Sequence, residues 1–170
     1  YLTDFINITS RPLSMKQNIM TYENVTATMW GSELGAQYAL PADLFLKGSL
    51  SYVEGENHDG HRPLSEIPPL HGSIGARYDN GTAFVEVTEN LSARQGRLDS
   101  VLQEQATAAY ATTELKAGYR YKAISLYAGI NNMFDAYYHS YLSYQRNIYS
   151  TGVKVPENGR TFYVTIAYNL

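Results

Sequence analysis

The chain has 170 residues, is 44% hydrophobic but only 17% charged, and carries a formal net charge of −3 with no cysteine. That length suits one domain, the charge leaves no basic footprint for nucleic acid, and the missing thiols exclude a disulfide framework or a thiolate metal site. No run approaches the eighteen consecutive apolar residues of a transmembrane helix, so strands are the only means by which this sequence could cross a bilayer.

Sixteen Tyr and thirteen Gly against one Trp and five Phe make a strand-and-turn composition, and tyrosine suits a membrane interface. The chain opens on Tyr1 without an initiator Met or an apolar leader. This fits an exported protein that has lost its signal, or the C-terminal piece of a larger one.

Period-two alternation marks eight segments as strands. Residues 1–8 put Leu2, Ile6 and Ile8 on one face, interrupted by Asp4. Residues 22–40 are too long for one phase: Val25, Ala27 and Met29 alternate in one register and Leu34, Ala36, Tyr38 and Leu40 in the other, with Gly31 as the expected break. Residues 44–52 set Leu44, Leu46, Leu50 and Tyr52 against Lys47, Ser49 and Ser51, with Phe45 on the polar side. Residues 70–78 set Leu70, Ile74, Ala76 and Tyr78 against His71, Ser73 and Arg77. Residues 82–93 carry Val85, Val87 and Leu91, but Glu89 shares their parity, which a bulge or a position above the bilayer would excuse. Residues 110–121 gather Glu114, Lys116 and Arg120 on the face opposite Leu115, and residues 123–134 alternate Ile124, Leu126, Ala128 and Ile130 with Ser125, Tyr127, Gly129 and Asn131. The final segment, 160–170, is the sharpest, with Phe162, Val164, Ile166, Tyr168 and Leu170 opposite Thr161, Tyr163, Thr165, Ala167 and Asn169.

The joints are more diagnostic than the strands. Tight turns at Pro41-Ala42-Asp43, Asp79-Asn80-Gly81 and Tyr121-Lys122 have hairpin chemistry. They alternate with long joints at 9–21, 55–68, 94–108 and 135–159. A soluble sandwich also alternates along its strands, but short turns at one end and long loops at the other belong to outer-membrane barrels. The expected fold is therefore all-β, an antiparallel transmembrane β-barrel segment of eight up-and-down strands. Leu126, Ile130, Leu115, Ile166 and Val164 should face lipid, while Lys116, Arg120 and Lys47 should face the lumen. The C-terminus should be periplasmic.

Four motifs then resemble the C-terminal part of TonB-dependent outer-membrane receptors: Glu23-Asn24-Val25 with Gly31-Ser32-Glu33-Leu34; Ile67-Pro68-Pro69-Leu70-His71; Gly129-Ile130-Asn131-Asn132-Met133-Phe134-Asp135-Ala136-Tyr137-Tyr138; and Val155-Pro156-Glu157-Asn158-Gly159-Arg160. Asn131, Asn132 and Asp135 are read as strand-end residues that bond the backbone, with Gly159 permitting the turn and Arg160 anchoring at the interface. The resemblance implies the last third of a barrel of about 22 strands with a plugged lumen, its N-terminal plug absent from residues 1–170. It implies active uptake of a metal ion or metal chelate such as a ferric siderophore or copper, no enzymatic activity and no cofactor. The implied setting is the outer membrane of a Gram-negative bacterium. The implied partners are outer-membrane lipid, the chelate, the TonB complex through the missing region, and the barrel-assembly machinery, for which Ile166, Tyr168 and Leu170 supply the terminal signal. Leu170 stands where the family usually has an aromatic residue.

Candidate ligand-binding residues are His58, His61, His139 and Tyr141 in the long loops. His58 and His61, within Gly55-Glu56-Asn57-His58-Asp59-Gly60-His61, are close enough to share a metal ion, although a solvated polar loop is the favoured explanation because no helix or strand fixes their geometry. His71 falls at the top of the inward face. Met15, Met20, Met29 and Met133 are scattered without a paired spacing. No nucleophile elbow, phosphate-cradling glycine loop or zincin pattern occurs. A complete small eight-stranded barrel, structural or adhesive, is the alternative reading, and it requires residues 1–8 to pair with 162–170.

Overall fold

The computed structural model describes residues 2–168, and the terminal Leu170 of the expected assembly signal lies outside them. The strands are β1 (Leu2–Ser14), β2 (Gln17–Leu40), β3 (Leu44–Asn57), β4 (Arg62–Pro63), β5 (His71–Asp79), β6 (Ala83–Ser92), β7 (Tyr110–Tyr121), β8 (Ile124–Asn131), β9 (Tyr144–Asn147), β10 (Ser150–Lys154) and β11 (Thr161–Tyr168). Eight of them form one antiparallel wall in the order β1-β2-β3-β5-β6-β7-β8-β11, with β4 beside β3 and β9–β10 as a separate hairpin. The wall is open among the described residues: β1 and β11 stand at its two edges. The pairing of first strand with last that a complete small barrel needs is not formed there.

The three short turns reverse the chain as turn chemistry dictates. Ala42 and Asp43 both take positive φ (64° and 60°), as do Gly81 (82°) and Lys122 (53°), giving hairpins whose twist matches that of the strands. Asp79 Oδ1 and Asn80 Oδ1 accept from the backbone of the second turn, at Gly81 N (2.9 Å) and Thr82 N (3.0 Å).

The wall inverts the layout of a water-soluble protein. Leu34, Tyr38, Ile74, Val85, Leu126, Phe162, Val164 and Ile166 are all exposed, on one continuous face. Leu115 and Ile130 share that face and are half-buried because they stand opposite each other. Nothing packs on this surface, and an apolar face of such extent fits a lipid solvent. Trp30 and Tyr52 meet edge-on at 5.3 Å near its loop side, and Tyr38, Tyr78 and Tyr119 lie toward the short turns. From Trp30 to Tyr38 the strand advances roughly 26 Å, or about 20 Å of height after the usual barrel tilt.

The opposite face is polar and paired. Lys47 Nζ lies 2.7 Å from Glu86 Oε1, Arg77 bridges Glu86 (3.2 Å) and Asp79 (2.6 Å), and Lys116 meets Glu114 at 2.8 Å. The Arg77 guanidinium also sits 3.8 Å over the Phe84 ring. Lys47, Lys116 and Arg120 thus share the inward face, as their parity requires.

Three expectations are corrected, and the interruption at Asp4 is accounted for. Residues 9–21 are no loop: β1 and β2 continue as a ribbon to a tip at Met15-Lys16, with Ser14 paired to Gln17. Above the bilayer both faces of a ribbon are wet, so no apolar rhythm announces it. Gly31 does not break β2, whose pairing with β3 runs unbroken from Ala27 to Leu40; a Cβ at Gly31 would lie 2.6 Å from Val53 Cγ2, so its need is close approach. The phase changes because the apolar side changes: Val25 and Ala27 are buried on the inner face near the loops, whereas Leu34 and Tyr38 are exposed on the outer face. Asp4 (φ 57°) occupies a bulge between Leu2 and Phe5. Glu89 needs no bulge, since its carboxylate accepts from the Thr113 hydroxyl across an unbroken ladder.

A charge placed toward lipid should be far costlier than one toward the lumen. Val164 is exposed on the outer face and its neighbour Thr165 on the inner. Val164→Arg should cost about 2–4 kcal/mol and reduce the heat-modifiable, membrane-inserted species, whereas Thr165→Arg should assemble normally. Equal assembly of the two variants would contradict the assignment of faces.

Candidate functional site

All the long connections lie at one end of the wall, and they pack on each other there. Val25 and Ala27 of β2 bury Leu64, with Phe5, Met29 and Ile67 around them, in a small apolar core on the inner side. Gly55 makes room for it, since a Cβ there would lie 2.8 Å from Leu64 Cδ1. Leu64 N donates to Gly55 O at 3.0 Å.

Arg62 ties this core to the next loop. Its guanidinium reaches Glu23 (2.7 Å) and Asp99 (3.1 Å), and Asp99 is fully buried. Asp99 Oδ1 also accepts from Val101 N at 2.8 Å, and Glu104 accepts from both Asp99 N and Glu66 N at 2.7 Å. Burial raises the Glu104 pKa, even though those two N–H groups favour its charged form. Arg146 pairs with Glu66 from the last long connection.

That connection, residues 132–160, is fastened at its base and along its length. Asn132, buried and left-handed (φ 49°), accepts from Ala136 N (2.8 Å) and donates to the carbonyls of Ala136 (2.9 Å) and Asn158 (3.2 Å). Asp135 Oδ1 accepts from Arg160 N at 2.7 Å, and a Cβ on Gly159 would stand 2.6 Å from that oxygen. These are the backbone-bonding roles expected of Asn132 and Asp135. Further along, Gln105 N donates to the Tyr144 hydroxyl at 2.7 Å, and Lys154 Nζ donates to Thr107 Oγ1, Ser140 O (3.0 Å) and Tyr141 O (3.3 Å). Burial lowers the Lys154 pKa and raises those of Tyr138, Tyr141 and Tyr144, so these phenols stay neutral.

Under the fastened segment lie two adjoining hollows. One, of 280 Å³, is lined by Pro69, His71, Asn90, Tyr110, Ser140 and Tyr141; the other, of 270 Å³, by Thr107, Tyr110, Tyr137, Tyr138, His139 and Lys154. Tyr110 serves both and stacks on Tyr138 at 4.3 Å, while Tyr137 meets His139 edge-on at 5.3 Å. The structure thus brings His139 and Tyr141 to one aromatic vestibule, together with His71. His58 and His61 sit elsewhere, at the exposed turn after β3. His58 Nε2 lies 2.6 Å from Thr28 Oγ1, and the His58 backbone N–H donates to Thr26 O. Among the described residues, no group of three or more His, Cys, Asp or Glu side chains is arranged to hold a metal ion. The vestibule can therefore offer ring faces, neutral hydroxyls and imidazoles. Tyr110 and Lys154 were not singled out in the sequence, although Tyr110 has inward parity at the head of its strand.

Residues 1–133 match the family model of the TonB-dependent receptor-like β-barrel. Among solved structures, the chain is similar to "Copper transporter OprC", with 28% identity and a TM-score of 0.84 over 98% of this chain. The chain spans 27% of that protein's length. Comparison with curated protein sequences gives no match.

The Arg62 clamp yields a local test. Arg62→Ala leaves the buried Asp99 carboxylate without its cation, while Glu23 keeps Arg11 at 3.4 Å, at a cost of about 3–5 kcal/mol for a buried pair. Trypsin should then cut within residues 93–109 of the assembled receptor much faster than in wild type, with heat-modifiable migration of the wall unchanged. An unaltered cleavage rate would show that the clamp does not hold the loop.

Proposed function

We propose that this chain, which belongs to the TonB-dependent receptor β-barrel family, forms part of the wall of an outer-membrane transporter for active uptake of a metal ion or metal chelate. The observation that carries the reading is the match of wall and loops to a copper transporter at 28% identity over 98% of the chain. Copper and ferric siderophores are the substrates it favours. The long loops face outside and the C-terminus lies in the periplasm, as short periplasmic turns and long extracellular loops require.

Several parts of the reading rest on the family. A plug domain and a TonB-interacting segment belong to the complete protein and supply the rest of the site and the energy coupling. Ile166 and Tyr168, both exposed on the outer face, serve with Leu170 as the signal to the assembly machinery. His139 and Tyr141 meet ligand in the vestibule, and His58 and His61 act at the rim. The neutral tyrosines support contact with the organic shell of a chelate, and the imidazoles support transient contact with a metal ion.

Residues 145–154 carry the vestibule's Lys154. Deleting them in the complete receptor should lower uptake of radiolabelled copper or a ferric chelate several-fold, while the barrel still inserts. Uptake kinetics equal to wild type, with copper and with each chelate tried, would refute a ligand role for this loop.

A further inference from the structure

The first half of β2 has a strand on one side only. β1 accompanies it from Gln17 to Ala27, but β3 ends at Asn57, opposite Ala27. Beyond that point the other edge of β2 is closed at two places. Thr26 O accepts from His58 N (2.9 Å), and Thr26 N donates to Asp59 Oδ2 (2.7 Å). Toward the ribbon tip, Met20 N donates to Ile148 O at 2.7 Å. In an antiparallel ladder every second residue turns both backbone groups to the same side. Thr26 and Met20 point away from β1, so Tyr22 and Asn24, in unbroken register between them, do likewise. Their N–H and C=O groups meet no partner strand or loop among the described residues. From Met20 to Thr26 the open stretch measures roughly 20 Å, enough for about three to five residues of a further strand.

A hollow of 500 Å³ lies along this stretch, lined by Arg11, Tyr22, Glu23, Asn24, Asn57 and Arg62 among others. Tyr22, Glu23 and Asn24 are consecutive, and consecutive side chains take opposite faces. Only a hollow at the edge of the strand can be lined by all three. Its side chains differ in how fully they are engaged. Arg62 holds Glu23 at 2.7 Å and the buried Asp99 at 3.1 Å. Arg11 touches the same Glu23 at 3.4 Å and is 61% exposed, a pairing that binds it weakly. Asn57 is buried and accepts from Gly60 N at 3.0 Å, which leaves its Nδ2 without a partner among the described residues. A buried donor in that condition calls for an acceptor. On the outer face, Tyr22 exposes its ring.

We propose that this edge is a docking site for an extended acidic peptide segment of a partner, which adds to β2 as a short strand. An open strand edge recognises peptide groups before any side chain. A carboxylate turned inward takes Arg11 and Asn57 Nδ2, while Glu23 keeps Arg62. An apolar neighbour turned outward lies on Tyr22. The closures at Met20 and Thr26 confine the added strand to a few residues. The site goes beyond the transport reading and is independent of the substrate carried.

Fluorescence polarisation with the complete receptor in detergent tests it, with fluorescein-labelled Val-Glu-Val-Glu-Val as the probe. The residues opposite Tyr22 and Asn24 share their outward face, so the valine N–H groups are the ones that meet β2. The probe should bind wild type saturably. It should bind about tenfold more tightly than a form N-methylated at its valines, or than Val-Lys-Val-Lys-Val. Asn24→Pro removes an N–H that β1 does not use and should weaken binding by about tenfold, whereas Asn24→Ala should leave it unchanged. Arg11→Glu should shift the preference to the lysine peptide, and it serves alone if the proline variant does not fold, as heat-modifiable migration reports. Absence of saturable binding to wild type would overturn the site, as expected if another part of the receptor covers the edge. Equal binding of the N-methylated peptide, undiminished binding by a folded Asn24→Pro receptor, or an Arg11→Glu receptor that still prefers glutamate would overturn it too. Metal uptake is a separate readout, so its loss would leave the docking site standing.

Discussion

The ladder of backbone hydrogen bonds between neighbouring strands is the constraint on which the remaining structure depends. Lipid offers no partner to a peptide group, and each one left unpaired there costs several kcal/mol. A strand can cross only if its neighbours satisfy it on both sides. The unbroken registers from β2 to β11 do this for the interior of the wall. The free edges of β1 and β11 require partners of their own in a bilayer. Once the backbone is secured in this way, side chains can be spent on the two solvents. The outer face can be apolar without anything packed on it, and the only buried hydrophobic residues among those described are Val25, Ala27, Leu64 and Leu102.

The same strand serves two regimes along its length. Within the apolar band, β2 shows Leu34 and Tyr38 to lipid; nearer the loops, it turns Val25 and Ala27 inward onto Leu64. No change of backbone register accompanies the switch. The loops are organised like a small water-soluble protein laid on top of a membrane wall. They have an apolar centre, a ring of ion pairs through Arg62, Arg97 and Arg146, and capping side chains such as Asp99 and Asn132.

This division explains what could be read from the residues alone. The wall was legible because lipid on one side and water on the other impose alternation, so all eight crossings and the three tight turns were placed, along with the inward Lys47, Lys116 and Arg120. The family was legible through short motifs whose purpose is local, as with Asn132 and Asp135, which bond backbone within a few residues or across the adjoining strand. The ribbon of β1 and β2 was not legible, because a strand with water on both faces has no apolar rhythm. The loop contacts were not legible either. Arg62 finds Asp99, Arg146 finds Glu66 and Lys154 finds Thr107, partners far apart in the chain that only the packed wall brings together. His58 and His61 are neighbours in sequence, yet the turn directs His58 to Thr28 of an adjoining strand.

The inner wall has a further property that concerns movement. Lys47, Glu86, Arg77 and Asp79 form a connected chain of opposite charges, and Glu114 and Lys116 form another. Each carboxylate already has its cation, and Glu86 is nearly withdrawn from solvent between two of them. A body sliding along such a surface has few isolated charges to grip and no long-lived counter-ions to strip, since the fields of paired groups fall away faster than those of single ones. The polar lining is thus wet but electrically quiet toward the lumen.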